Sequence, residues 1–283
     1  MIDKNKDFHI IDGKLVEYKG HGFRIEIPQG VTAIGESAFY NCDSIMNVYI
    51  PNTVKTIGES AFSMCTNITD IQIPASVTSI GKAAFSGCKS LATVELGSGV
   101  TEIGEFAFSR CSSLSRIQIP VNVKKIGKSA FLSCLKLTEI QINSNLRRIE
   151  DSVFEDCKAL SSIVLPSLVE SIGNSAFEGC GNLEEITLSY HLKSIEALAF
   201  KGCEALKKIE LPDAVSIIEN STFEGCKSLE HIRISRNVTS IGKGAFEGCI
   251  GLKLVEYPEK LKPVLKKSFS LGQRLKIKFR ALE

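Results

Sequence analysis

The sequence has little net charge, no long apolar run and no signal-peptide pattern in its first residues, and the first two of these absences exclude several classes of protein. Its formal net charge of +2 over 283 residues is too close to neutrality to indicate a nucleic-acid or membrane-surface partner. Since no apolar run reaches about 18 residues, we expect no membrane-spanning helix. Residues 1–7 lack the apolar segment of a signal peptide. Two alternatives follow: an intracellular protein, or a secreted one whose leader is absent from this chain.

Groups typical of a catalytic site are also missing. The four histidines are spread along the chain and form no cluster: His9, His21, His191 and His231. No G-x-x-x-x-G-K motif and no strand-linked G-x-G-x-x-G motif is present to hold a phosphate. We therefore expect no catalysis, no cofactor, no bound metal and no small-molecule substrate.

What the sequence does have is a repeat of 23 residues. The segment Val77–Cys88 recurs 23 residues earlier as Val54–Cys65 and 23 residues later as Val100–Cys111. A fixed period of this length predicts a solenoid, in which each repeat packs only against its neighbours. The chain is 43% hydrophobic, which is enough for a continuous core. We therefore expect one elongated body rather than two ordinary domains.

The ends of the chain depart from the repeat. Residues Ile10–Tyr18 read as a β-hairpin with Asp12-Gly13 at its turn, which predicts an N-terminal cap over residues 1–27. Ten repeats follow over residues 28–257. Residues 258–283 form a degenerate repeat and a C-terminal cap, in which Phe269 and Leu275 keep the register of the core.

Each repeat is close to P-x-x-V-x-x-I-G-x-x-A-F-x-x-C-x-x-L-x-x-I-x-I. The I-x-I step alternates with period two, which predicts a short strand with both isoleucines buried. The V-x-x-I step predicts a second short extended segment. Because Phe and Cys are three residues apart, A-F-x-x-C predicts a single helical or 3-10 turn. The phenylalanines give the register: Phe39, Phe62, Phe85, Phe108, Phe131, Phe154, Phe177, Phe200, Phe223 and Phe246.

The ten cysteines occur once per repeat, 23 residues apart, from Cys42 to Cys249. Strands about 4.8 Å apart would stack them in one column inside the coil. Free cysteine is a small and frequently buried residue, so we favour reduced core thiols. Disulfides between consecutive repeats and a metal site are the two alternatives.

The repeated motif I-P-x-x-V-x-x-I-G-x-x-A-F-x-x-C-x-x-L resembles that of the BspA-like leucine-rich repeat family, also called the Treponema pallidum type, over residues 10–270. The resemblance implies an α/β-type solenoid: a right-handed coil with a concave parallel β-sheet, short convex strands and single helical or 3-10 turns. It also implies that the protein is a surface-exposed microbial adhesin, located at the cell surface or secreted, that binds host or matrix proteins. Because the family also includes large intracellular sets of proteins, the resemblance leaves a cytoplasmic location open.

The residues flanking the first isoleucine of each strand should face outward, and they vary between repeats whereas the core positions do not. This contrast is typical of a fixed frame with a changeable recognition face, although unconstrained exposed positions would look the same. We predict a partner-binding surface made of Asn47, Tyr49, Asp70, Gln72, Glu95, Arg116, Gln118, Glu139 and Gln141.

A second candidate surface is basic and lies in adjacent copies of the V-x-x-I step. An acidic protein or glycan is the ligand that such a patch would bind, while a solvated charged face is the alternative. Its residues are Lys124, Lys125, Lys128, Arg147 and Arg148.

Together these patterns predict a non-catalytic module for protein binding or adhesion, with a protein as its partner. An intracellular scaffold or structural spacer is the first alternative, and binding of an anionic ligand or glycan through the basic patch is the second. Nucleic acid is not an expected partner.

Overall fold

The alternating isoleucines form short strands, as the period-two pattern predicts. In the computed structural model, which describes residues 6–269 and 274–282 (without the side chains of residues 266 and 267), Asp70–Ile73 is one such strand. Ile71 and Ile73 are buried in it, whereas Asp70 and Gln72 are exposed. We call the strands of the I-x-I step front strands and the two-residue strands of the V-x-x-I step back strands.

The chain divides into two compact units, Met1–Ser144 and Asn145–Glu283. This division falls inside the predicted repeat array, and the uniform repeat gives no sign of it. The limits of the caps and of the array stay a prediction.

In unit 1 the front strands form one parallel six-stranded sheet, the front sheet of unit 1. Its strands are β3 (Arg24–Glu26), β5 (Asn47–Tyr49), β7 (Asp70–Ile73), β9 (Thr93–Leu96), β11 (Arg116–Ile119) and β13 (Glu139–Ile142). The back strands of unit 1 are β4 (Ala33–Ile34), β6 (Thr56–Ile57), β8 (Ser79–Ile80), β10 (Glu102–Ile103) and β12 (Lys125–Ile126). Within each set, neighbours pair in parallel at a register of 23 residues, so equivalent side chains stack in columns.

An antiparallel hairpin precedes the coils of unit 1. Its strands are β1 (Phe8–Ile11) and β2 (Lys14–Tyr18), joined through Asp12 and Gly13, both at positive φ. Strand β2 then pairs in parallel with β4, so the hairpin begins the sheet of back strands. The Tyr18 ring lies 5.2 Å from that of Phe39, which places it over the first phenylalanine of the core.

Unit 2 repeats the arrangement with shorter sheets. Its front strands are β15 (Ser162–Val164), β17 (Glu185–Thr187), β19 (Lys208–Glu210), β21 (His231–Arg233) and β23 (Leu254–Pro258). Its back strands are β14 (Arg148–Ile149), β16 (Ser171–Ile172), β18 (Ser194–Ile195), β20 (Ile217–Ile218) and β22 (Ser240–Ile241). After β23 come a 3-10 turn (Glu259–Leu261), helix α1 (Lys262–Ser268) and a last strand, β24 (Lys278–Leu282), parallel to β23. The sequence analysis did not predict these helical segments near the C-terminus.

The phenylalanines are stacked inside both units. All ten repeat phenylalanines are fully buried. In unit 1 neighbouring rings lie 4.7–5.6 Å apart between Phe39 and Phe131, with their planes within 8° of parallel. Phe269 continues the stack of unit 2 at 5.2 Å from Phe246, as predicted. Leu275, predicted to keep the core register, is 81% exposed, so that prediction is wrong; Ile277 is the buried residue there.

The cysteines are free thiols, and each of those after Cys42 is buried. Their thiols also hydrogen-bond. Cys65 Sγ donates to the carbonyl of Phe39, 26 residues earlier, at 2.9 Å, and the backbone N–H of Cys42 donates to the same oxygen at 3.2 Å. The thiol therefore fills the second acceptor position of a buried carbonyl in the preceding coil.

The A-F-x-x-C segments are pairs of β-turns, which differs from the predicted helical or 3-10 turn. Around the Ala61–Cys65 segment, Ser60, just before it, and Met64, within it, adopt positive φ and interrupt helical geometry. Alternate N–H groups then donate to the next coil, as from Phe62 N to Ala84 O at 2.7 Å. These hydrogen bonds between coils, together with tight turns, replace those a helix would make within itself.

Candidate functional site

The predicted partner-binding residues all lie on the front sheet of unit 1. Because β5, β7, β9, β11 and β13 stack in register, Asn47 lies beside Asp70, and Gln72 lies beside Glu95. Arg116 likewise lies beside Glu139, and Gln118 beside Gln141. The set is exposed, apart from the half-buried Asn47, while the intervening residues of each strand point into the core.

Two grooves cross this sheet. Groove A, about 1160 Å³ in volume, runs from the hairpin residues Asp7, Phe8 and Tyr18 over β3, β5, β7 and β9. Groove B, about 570 Å³, lies over β9, β11 and β13. Glu95 lines both. The other predicted residues divide between them: Asn47, Tyr49, Asp70 and Gln72 in groove A, and Arg116, Gln118, Glu139 and Gln141 in groove B.

Hydrogen bonds hold a few of these side chains in place. Asn47 Nδ2 donates to Asp70 Oδ2 at 3.0 Å, and Thr69 Oγ1 donates to the same oxygen at 2.8 Å. Gln141 Nε2 donates to Glu139 Oε1 at 2.7 Å. Tyr49 is 53% exposed, so its ring is open to a ligand in groove A. Glu26, which belongs to the same outward-facing column as Tyr49, also lines this groove, and so do Gln29 and Asn52, which sequence reasoning missed.

Most cationic side chains of the predicted basic patch form ion pairs with carboxylates. In unit 1 Lys125 Nζ lies 3.2 Å from Glu102. In unit 2 Arg147 pairs with Glu170, and Lys193 pairs with the same carboxylate at 2.6 Å, so both cations hold the pKa of Glu170 below its ordinary value, Lys193 most strongly. Lys124 and Lys128 are the other members of the set. Binding of an anionic ligand by this patch stays a prediction.

Arg148 belongs to an ionic cluster in unit 2 that sequence reasoning missed. Its guanidinium contacts Glu150 at 3.2 Å, Asp151 at 2.9 Å and Glu196 at 2.7 Å. The hydrogen bond to Glu196 is the main reason that the pKa of Arg148 is raised. The signal was present in the sequence, because Glu150 and Glu196 each replace the glycine of the repeat. Arg148 and Glu196 are 48 residues apart in the chain, so the cluster links separate coils of unit 2.

The thiols are poor candidates for nucleophiles or metal ligands. Burial raises the pKa of Cys65 to about 12 and raises that of Cys88 and Cys111 well above the ordinary range. Since the thiolate is the reactive form, these groups are inert at neutral pH. In the described part of the chain, no group of three or more His, Cys, Asp or Glu side chains is arranged to hold a metal ion. Nor does any described helix have the length and apolar character needed to cross a bilayer.

Parallel coils of short strands, built on a 23-residue leucine- and isoleucine-bearing repeat with an exposed sheet face, define the class of leucine-rich repeat solenoids. Within that class the chain belongs to the family described as the BspA type leucine rich repeat region, which matches residues 32–161 and 147–276. The resemblance drawn from the sequence and the predicted fold class are both confirmed.

Solved structures of leucine-rich repeat proteins resemble the chain along most of its length. A leucine rich cell surface protein of Faecalibacterium prausnitzii is 28% identical over 93% of this chain and 92% of its own, with a TM-score of 0.49. The Treponema pallidum leucine rich repeat protein is 27% identical over 98% of both chains, with a TM-score of 0.39. No curated protein matches the sequence.

The pneumococcal vaccine antigen PcpA superposes with a TM-score of 0.61 over 84% of this chain and 63% of the antigen. At 21% identity, that similarity supports the fold alone.

Proposed function

We propose that the protein is a non-catalytic binding module and that the front sheet of unit 1 contacts a protein partner. One observation carries the proposal: all nine variable side chains chosen from the sequence line two adjoining grooves on a single exposed sheet. A rigid stack of strands holds these side chains in fixed positions, so little conformational entropy is lost when a partner binds.

The size and composition of the face fit a protein partner. Grooves A and B cover the sheet from β3 to β13, and their lining mixes carboxylates, amides and one exposed tyrosine. Tyrosine is enriched among residues that dominate binding energy at protein interfaces. The family resemblance supports our proposal that the partner is a host or extracellular-matrix protein and that the module works at the cell surface or outside the cell.

The experiment compares two tyrosines of unit 1 against a panel of immobilised matrix proteins. We expect Tyr49→Ala to weaken binding about tenfold or more, since truncation of an anchoring tyrosine costs about 2 kcal/mol. Tyr40→Ala is the matched control, because Tyr40 is similarly exposed at 56% but lies outside both grooves. Biolayer interferometry gives the Kd of each variant.

Equal binding by both variants would reject the front sheet of unit 1 as the contact surface. Failure of the unmodified protein to bind any matrix protein, combined with recovery of a stable assembly from cell lysate, would favour the scaffold alternative instead.

A further inference from the structure

Groove A differs in charge from the protein as a whole. Four carboxylates line it, those of Asp7, Glu26, Asp70 and Glu95, against one guanidinium, that of Arg24, which leaves a formal charge of −3. The complete chain carries +2. The groove is therefore a local negative field on a slightly positive molecule.

These charges are not neutralised from within. Among the residues that the structure describes, none of these five side chains takes part in an ion pair within 4.0 Å. Elsewhere in unit 1, Glu59 pairs with Lys82 and Glu102 with Lys125, each a lysine one coil further on. On the front sheet the residue one coil after Glu26 is Tyr49, and the one after Asp70 is Thr93. The stacking that pairs charges on other surfaces therefore supplies no described cation to Glu26 or Asp70, whose Oδ2 accepts hydrogen bonds only from the uncharged Asn47 and Thr69.

Groove A also reaches an edge of the front sheet of unit 1, where no described strand pairs with the outer side of β3. Strand β3 is the last strand of the front sheet of unit 1. The carbonyl of Phe23 and the N–H of Ile27 bond toward β5. Because alternate residues of a parallel strand bond to the same neighbour, the backbone groups of Arg24 and Glu26 face away from β5. A segment that spans groove A from β3 to β9 crosses these strands, so it enters over this edge and does not extend the sheet.

We propose that groove A takes an extended, lysine- or arginine-bearing segment of the protein partner, with its cationic side chains directed at Glu26, Asp70 and Glu95. This inference rests on the proposed function and specifies the chemistry of the partner. Glu26 and Glu95 stand three strands apart, about 14 Å at 4.8 Å per strand, and an extended segment spans this distance with about four residues. Tyr49 lies between them and offers its ring to the aliphatic stem or the charge of a basic side chain.

The test uses a fluorescent ten-residue peptide that alternates lysine and threonine, with a glutamate–threonine peptide of the same length as its counterpart. We expect the basic peptide alone to bind the intact chain, with a Kd that rises as NaCl is raised from 50 to 500 mM. The double variant Glu26→Gln/Glu95→Gln should bind it about three- to tenfold more weakly. Fluorescence anisotropy measures all of these.

The matched control is Glu36→Gln/Glu105→Gln. It removes the same two charges from exposed carboxylates of unit 1 that line neither groove. Equal weakening in both double variants would show general charge attraction and overturn the inference. So would absence of peptide binding up to about 1 mM, or saturable Ca²⁺ binding by calorimetry that only Glu26→Gln/Glu95→Gln abolishes.

The two proposals fail in different ways. If a matrix protein binds and Tyr49→Ala weakens it while Glu26→Gln/Glu95→Gln does not, the front sheet remains the contact surface and the basic segment is rejected. If neither change affects binding, both proposals are rejected.

Discussion

Within each unit, buried phenylalanines of neighbouring coils contact one another. Phe85 is typical: its ring is fully buried and lies 5.2 Å from Phe62 and 5.3 Å from Phe108. The repeat period brings these rings together, so one substitution removes contacts to two coils. Because each repeat packs only against its neighbours, we expect substitution of any of these buried rings to lower stability by a similar amount.

Replacing one of these rings should therefore be costly. We expect Phe85→Ala to lower the free energy of unfolding by about 3–5 kcal/mol, because it removes a fully buried ring and leaves a cavity. Urea unfolding followed by circular dichroism measures the change. Phe23→Ala is the control, since Phe23 is 69% exposed and its loss should change stability by less than about 0.5 kcal/mol. Similar costs for the two variants would contradict the inward assignment.

The burial of the Phe and Cys columns was predictable, because residues that recur every 23 positions stack in a solenoid whichever type of turn joins its strands. The hydrogen bond from Cys65 to Phe39 was not, since sequence spacing shows that a thiol is buried but not which carbonyl it reaches. Arg148 shows the same limit: Glu150 and Glu196 stood out as departures from glycine, but only coordinates show that one guanidinium reaches both.

At the scale of elements, the back strands end where glycine lets adjacent coils approach closely. A Cβ on Gly81 would lie 2.6 Å from the carbonyl carbon of Gly58, and one on Gly104 would lie 2.6 Å from that of Gly81. These distances are shorter than any real Cβ contact, and the opposing atoms are backbone. Coil spacing and the glycine of the repeat are therefore coupled.

This coupling can be tested with an alanine. Gly81→Ala should destabilise the protein by about 1–3 kcal/mol, as overpacking does, because the backbone of the adjoining coil must move. Gly181→Ala is the matched control, with no atom within 4 Å of the added Cβ, and should lie within about 0.5 kcal/mol of the unmodified protein. Urea midpoints give both values. A neutral Gly81→Ala would mean that the coils are not in such close contact.

The turns show where element prediction from sequence fails. Phe62 and Cys65 are three residues apart, a spacing that the ends of one helical turn and of one β-turn share. The deciding feature is the positive φ of Ser60 and Met64, and neither residue type favours that conformation. Hydrogen bonds to the neighbouring coil, absent from any local pattern, select the β-turns.

For the whole molecule, the chain divides into two compact units, Met1–Ser144 and Asn145–Glu283, and the predicted limits of caps and array stay a prediction. The candidate surface lies in the first of them. Period-two alternation identified Tyr49, Gln72 and Glu95 as outward-facing, so the face itself was predictable. The grooves were not, because groove A includes Asp7 and Tyr18 from the hairpin, whose position depends on the folded sheet.

Within each unit, successive coils enclose their Phe and Cys columns and turn the variable residues outward. Thiol counting tests it most directly: the folded protein is treated with an excess of 5,5′-dithiobis(2-nitrobenzoic acid) at pH 8, then again in urea. Only Cys42 is not fully buried, so we predict at most one reactive thiol in the folded protein and ten after unfolding. Rapid reaction of several thiols in the folded protein would contradict the account.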